Sequence, residues 1–367
     1  MRKDMDKTKK KILITRILRV CILAAAAVAL FLLGKIPEVA EYFFARGLTR
    51  GAGRIIGFLT GLLPVSFYEW TAVFLIVGGV ALFVWLIVTL CRRRFARVGR
   101  AVYRLGVAVL CVLIAYGALY APLYQRASAV SALGLTETEV TEEEVYAAAE
   151  YYVEALNRTA EALERDEEGN VVSPHSFSET ADLINAEFAK IDADGYFAPY
   201  DVRPKRVVLS VPMSYLGITG IYFPFYAEAN VNVNIPSYEI PNTMAHEMAH
   251  AKGVSRENEA NIVSYVLCIR SEDAYLRYSG LMRAASVMLG NLDGEESAQL
   301  RARLAPEILR EYANGSAHYA KYEGPIDRIS AFFNDLFLKA NGIGSGTRSY
   351  GETARSLVAL YKTLEAE

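Results

Sequence analysis

Histidine and cysteine are scarce in this sequence, and net charge is almost absent. Of 367 residues only four are histidines, at positions 175, 246, 250 and 318. Four are cysteines, of which Cys21, Cys91 and Cys111 lie in or beside apolar runs and only Cys268 falls in the polar half. That distribution argues against a disulfide framework. A net charge of -2 supplies no basic field, so no nucleic-acid partner is expected. Repeats and low-complexity tracts are also missing. What is plentiful is apolar residue, 53% of the chain, with a positive mean hydropathy. Such a composition predicts membrane segments.

Three apolar runs occupy the first 122 residues and predict transmembrane helices at about 17–34, 71–91 and 105–122. The second, Thr71 to Cys91, holds no charge and is long enough for a bilayer core of roughly 30 Å. The third, Leu105 to Pro122, is also uncharged, and the first carries Arg19 near its start, where the side chain can snorkel. A cleaved signal peptide is the competing reading of the first run. Its small residues, Ala24 to Ala27, lie inside the run rather than after it. Between the first two runs, ARGLTRGAGRIIGFLTGLLPVSF is either an amphipathic helix in the interface or a plain connecting loop.

Lys/Arg placement predicts orientation. Arg2, Lys3, Lys7, Lys9, Lys10 and Lys11 precede the first run, and Arg92, Arg93, Arg94, Arg97 and Arg100 follow the second. Both clusters belong on the cytoplasmic side. The expectation is a multi-pass protein of the cell membrane with a cytoplasmic N-terminus. Residues 1–122 form its anchor and residues 123–367 an extracytoplasmic domain.

That second half is long enough to bury a core. Thr141 with Glu144 has capping-box spacing, and a helix is expected from there to the turn at DEEGN. RVVLSVP, Arg206 to Pro212, reads as strand, as do stretches within Gly220 to Pro236. From Asn242 onward the pattern is helical, with breaks expected at Gly253, Gly290, Gly315, Gly324 and Gly342. The expected class is α+β and mainly helical, with a small β-sheet.

Two of the four histidines stand four residues apart, in HEMAH. Residues i and i+4 share a helix face, so His246 and His250 can grip one ion together. Glu247 is turned about 100° from the first of them, free to act as a general base without being a ligand. Asn242 or Thr243 is the expected cap of this helix and Gly253 its stop. A catalytic zinc takes three protein ligands and leaves one position open. Ser255 is the expected cap of a following helix bearing Glu257, Glu259 and Asn261. There Glu257 and Asn261 share a face, while Glu259 lies about 200° from Glu257. Facing favours Glu257 as third ligand, with Asn261 behind it orienting a histidine.

HEMAH followed by ENEAN resembles the HExxH zinc peptidases whose third ligand is a glutamate, the gluzincins. In several of those the second motif reads E-x-x-A-D or E-x-E-A-D and its first glutamate binds zinc, which implies Glu257 here and not Glu259. Asn261 stands where those have aspartate. Over most of its length the chain resembles the DUF3810 family of bacterial membrane proteins, in YLGITGIYFPFYAEANVN, HEMAHAKGVSRENEAN and LKANGIGSGTRSYG. Together the resemblances imply a zincin-like metallopeptidase domain behind a three-helix anchor, with Zn2+ as cofactor and the lipid bilayer and a peptide or protein as partners.

The expected reaction is peptide-bond hydrolysis. Zinc on His246, His250 and Glu257 lowers the pKa of a water towards roughly 7, and Glu247 takes its proton and passes it to the leaving amine. Tyr226 to Asn234 is the candidate strand for pairing with substrate, with Asn230 and Asn232 on its polar face. Tyr265, His318 and Tyr350 are candidates for oxyanion support, and His175 has no assigned role. The alternative is a non-catalytic zinc-binding membrane protein acting as a binding or structural module. A site of that kind needs no base at Glu247.

Overall fold

The computed structural model describes residues 2–191, 194–341 and 350–366. The chain divides into two compact units, one of Met1–Gly51 and Tyr68–Arg126, the other of Ala52–Phe67 and Ala127–Glu367. The longer segment of the second unit begins at Ala127. The short segment Ala52–Phe67, between two apolar helices, also belongs to the second unit.

The first unit holds three helices long and apolar enough to cross a membrane, Lys10–Leu33, Phe67–Cys91 and Phe95–Leu119. The last begins ten residues before the uncharged run and takes in Arg97, Arg100 and Arg104. The first and third pack together where Gly117 lets Phe31 approach, with Phe31 and Tyr116 ring centres 6.2 Å apart. Beyond the spans, Arg126 grips Glu41 through two hydrogen bonds of 3.0 Å each, and Arg46 adds a third at 2.7 Å.

The second unit is mainly helical around a three-stranded sheet. Its strands are β1 (Lys205–Val207), β2 (Gly220–Phe223) and β3 (Glu228–Asn232), in the order β1-β3-β2. β3 pairs parallel with β1 and antiparallel with β2. Of the stretch read as strand around RVVLSVP only β1 forms. Pro212 sits in a short helix, Ser210–Tyr215, where its missing N–H costs nothing near the helix start. Gly220 to Pro236 yields two strands joined by a turn at Pro224–Ala227.

The Thr141 capping box closes in both directions, at 3.2 Å and 3.1 Å, and opens helix Glu142–Ala160. A second capping box, Ser176 with Glu179, opens Phe177–Lys190. Helices Glu142–Ala160, Glu257–Arg270, Ala274–Leu289 and Tyr350–Ala366 bury Tyr152, Leu276, Tyr278 and Leu357 among them, and Tyr152 donates to the Leu357 carbonyl at 2.8 Å. Buried Glu311 is satisfied by Arg165 (2.8 Å), Tyr278 (2.6 Å) and the Val171 amide (2.9 Å).

Helix Ile240–Ala251 lies against β2 and β3 and presents the HEMAH residues. Gly253 ends it with φ +106. Gly315 does not break a helix as expected. It lies inside Pro306–Ala320, where a side chain would meet the Tyr238 hydroxyl at 2.9 Å. Close approach, not a turn, is what requires glycine there. Gly342 lies outside the described residues.

Candidate metal centre

Two helices meet at Gly253. Ile240–Ala251 does not start at Asn242 or Thr243. It starts three residues before Thr243, with Pro241 in its first turn, where no N–H is needed. Asn242 is instead buried, its amide nitrogen donating to Ser264 Oγ at 3.0 Å and its backbone N–H to Ser279 Oγ at 3.0 Å. The second helix, Glu257–Arg270, has Arg256 at its N-cap position rather than Ser255. The Ser255 hydroxyl is buried without a protein partner. Glu257 is thus the first helical residue, where a carboxylate is favoured by the helix dipole.

The junction brings three side chains together. His246 Nε2 lies 3.2 Å from Glu257 Oε2, His250 Nε2 lies 3.6 Å from Glu257 Oε1, and the two Nε2 atoms are 3.0 Å apart. One ligand atom from each lies within 4.8 Å of the others. Four ligands at about 2.1 Å in a tetrahedron stand about 3.4 Å from one another, so these spacings fit a single zinc-sized ion. His250 Nδ1–H donates to the Val254 carbonyl at 2.7 Å, which leaves Nε2 as the lone-pair nitrogen. Tyr222 stacks on the His250 ring, centres 6.4 Å apart at 24°.

Glu247 is buried beside this cluster. One of its oxygens takes a backbone hydrogen bond from Tyr222 of β2, and Oε2 has no protein partner. Gly220 makes room for it, since a side chain there would lie 2.5 Å from Oε1. Burial pushes the Glu247 carboxyl up to about 7, against the pull of His246 and His250. Burial would lower His250, but the Glu257 and Glu247 carboxylates outweigh it and raise it to about 9. At Glu257 burial acts upward, yet the two histidines hold the carboxyl well below the usual range. A buried carboxylate with one orphan oxygen, next to three convergent ligand atoms, suits a metal ion with a water to be deprotonated.

The family model described as protein of unknown function (DUF3810) matches residues 44–358. The chain belongs to DUF3810. No curated protein and no solved structure matches it.

In this DUF3810 chain Glu259, expected not to be a ligand, and the remaining candidate residues lie elsewhere. Glu259 is buried and engaged by Arg256 (2.7 Å) and the Ala129 amide (3.3 Å), away from the cluster. Asn261 sits one turn beyond Glu257. Its carbonyl accepts from Ser264 Oγ at 2.7 Å, and among the described residues no side-chain hydrogen bond joins it to either histidine. The carbonyl of Val254 does the orienting instead. Asn230 and Asn232 are fully buried and spent on the fold. Asn230 donates to the carbonyls of Ile221 and Glu228 and accepts from Ser66 at 2.6 Å, while Asn232 donates to Ser214 and the Ile218 carbonyl. β3 is the central strand, hydrogen-bonded on both sides, so it offers no edge for an incoming peptide.

The edge strand next to Glu247 is β2. Tyr265 is buried near Arg283, and His318 bonds the Asn234 carbonyl at 2.9 Å. His175 pairs with Asp273 at 2.6 Å. The Tyr350 side chain lies outside the described residues. Sequence reasoning missed Gly220, Tyr222 and Val254. Only the glycine leaves any trace in the sequence, as the residue that opens a strand.

Proposed function

We propose that this chain is a membrane-anchored zinc metallopeptidase that hydrolyses peptide bonds outside the cytoplasm. The observation that carries it is the convergence of His246, His250 and Glu257 within 4.8 Å beside the buried, half-satisfied Glu247. Zinc held by these three residues would keep an open position and act there as a Lewis acid on water and on the scissile carbonyl. The chain's own residues do the rest. The two imidazoles and Glu257 place the reaction at the junction of the two helices. The Val254 carbonyl fixes the His250 tautomer. Glu247, buried with one carboxylate oxygen free of any protein partner, takes a proton and returns it to the leaving amine.

β2 is an edge strand one contact from Glu247, so an extended peptide can add to it through main-chain hydrogen bonds. A helix-rich unit with a small mixed sheet behind an HExxH helix accords with a zincin-like domain. The arginines following Cys91 and the lysine-rich start support a cytoplasmic N-terminus and an outward-facing site.

The test is to purify wild-type and Glu247→Gln chains, measure bound metal, and compare hydrolysis of a peptide library. Both proteins should hold zinc and only the wild type should cut. Absence of divalent metal from the wild type, or equal cutting by both, would overturn the reading. Reporter fusions after residue 122 test the orientation, and a cytoplasmic signal would reject it.

A further inference from the structure

The short segment Ala52–Phe67 is built into the site-bearing unit. Helix Arg50–Gly61 turns its small face inward, Gly53 beneath the Tyr200 hydroxyl and Gly57 against Ala227. Thr60 Oγ1 donates to the Tyr226 carbonyl at 3.1 Å, and Lys205 Nζ donates to the carbonyls of Thr60 and Leu63. Ser66 bonds Asn230 at 2.6 Å, and the Phe67 amide bonds Glu228 at 3.3 Å. The opposite face is apolar and open. Ile55, Phe58, Leu59, Leu62 and Leu63 are 49–68% exposed.

Further exposed apolar residues of the unit follow along the chain from that face. Lys205, bonded to Leu63, begins β1, which runs into Val208, 87% exposed, then Leu209 and Val211. The short helix after it ends at Tyr215, whose ring meets Tyr322 edge-on at 5.1 Å. A side chain on Gly217 would lie 4.0 Å from Asp327, in helix Pro325–Ala340. This helix exposes Ile326, Ile329, Phe332, Phe333, Leu336 and Phe337 at amphipathic spacing. The band is larger than scattered surface apolar residues explain.

We propose that this band lies on the lipid bilayer, so that the site-bearing unit rests against the membrane surface and is not merely tethered to it. The occupant follows from continuity with the spans. Phe67 is both hydrogen-bonded to β3 through its amide and the first residue of the 25-residue apolar helix Phe67–Cys91. In sequence, the segment Ala52–Phe67 runs directly on into that apolar helix. Interfacial helices bury an apolar face roughly 5–10 Å into the headgroup boundary. Arg54 and Arg203, exposed beside Phe58 at one cavity, are placed to meet lipid phosphates. The turn at Tyr215–Gly217 leads into β2, whose Gly220 lies against Glu247 of the candidate metal centre.

The experiment places a diazirine amino acid singly at positions 58, 208, 333 and, for comparison, the exposed polar position 299. Each full chain is reconstituted into nanodiscs of phosphatidylethanolamine and phosphatidylglycerol, irradiated and read by mass spectrometry. Lipid adducts at 58, 208 and 333 should exceed those at 299 roughly tenfold, as expected for residues below the headgroups. Labelling at 208 and 333 no higher than at 299 overturns the proposal, whether or not 58 is labelled. Adducts to a second copy of the chain in place of lipid overturn it as well. The readout needs neither metal nor hydrolysis, so it stands or falls apart from the peptidase reading.

Discussion

His246 Nε2 and Glu257 Oε2 stand 3.2 Å apart although they belong to different helices. The turn between those helices is held by Gly253 at φ +106 and by the His250 bond to Val254. On the proposed reading, metal affinity should depend on Glu257 and not on Glu259. Glu257→Ala should weaken zinc binding by more than the roughly 10–100-fold typical of an outer-shell loss. Glu259→Ala should leave affinity nearly unchanged and cost about 1–3 kcal/mol of stability through the orphaned Ala129 amide and Arg256. Titration with zinc followed by calorimetry, and melting of both variants, checks the pair. A larger affinity loss from Glu259→Ala would sink the ligand assignment.

Glu247 is not one of the three residues whose ligand atoms converge, yet it is buried beside them with an orphan oxygen. Glu247→Gln should therefore keep zinc and lose roughly 10²–10⁴-fold in hydrolysis, the usual contribution of a positioned proton acceptor. Loss of metal together with activity would mean that the side chain supports the site rather than acting in it.

Helical periodicity made the centre legible because its four polar side chains fall within twelve residues on two helices. Facing alone separates Glu257 from Glu259. The caps were misread because local propensity was overridden by packing. Asn242 is drawn into bonds with Ser264 and Ser279, and Ser255 is buried at the junction. Alternation in YAEANVNVN suggested a polar face open to solvent or substrate. In the fold that face is covered by Ser66, Phe67 and Ser214, and Ser66 is 164 positions from Asn230. No local pattern carries information at that separation, and the role of Ala52–Phe67 was hidden for the same reason.

Gly220 tests the coupling of sheet to site. An alanine there would place its Cβ 2.5 Å from Glu247 Oε1, so the carboxylate must move. Displacement of a reacting group by about 1 Å can cost roughly 10²-fold in rate. Gly220→Ala should retain zinc and lose activity on that scale, with a stability cost of about 1–3 kcal/mol from overpacking. Metal content and rate measured on one preparation decide it. Unchanged activity would show that Glu247 does not act from its observed position.

Lys205 is buried and satisfies the carbonyls of Thr60 and Leu63 while neighbouring Glu228. Lys205→Met keeps most of the stem but orphans these groups, at a cost of about 1–3 kcal/mol. Thermal unfolding of the full chain in detergent should register the loss. Deleting Ala52–Phe67 should be worse, because it also uncovers Asn230 and Glu228. An unaltered melting temperature in Lys205→Met would mean the segment is not integral to the unit.

The raised carboxyl of Glu247 and the raised imidazole of His250 give the metal-free protein a defined pH response. Glu247 titrates near 7 when folded against a usual 4.5, so the folded form holds its proton longer and loses stability as pH rises through that window. His250 titrates near 9 against 6.5, so its contribution is complete below 6.5 and lost as pH rises through 9. The lowered carboxyl of Glu257 acts in the opposite sense, contributing above 4.5 and weakening as pH falls below it. Between about pH 5 and 9 the first two dominate, and the melting temperature of the stripped protein should fall. Zinc needs His250 unprotonated, so its stabilisation should grow over the same range. Melting curves with and without zinc across that range should therefore diverge as pH rises. A gap that stays constant would show that the ion binds without displacing the His250 proton, and so not at this centre.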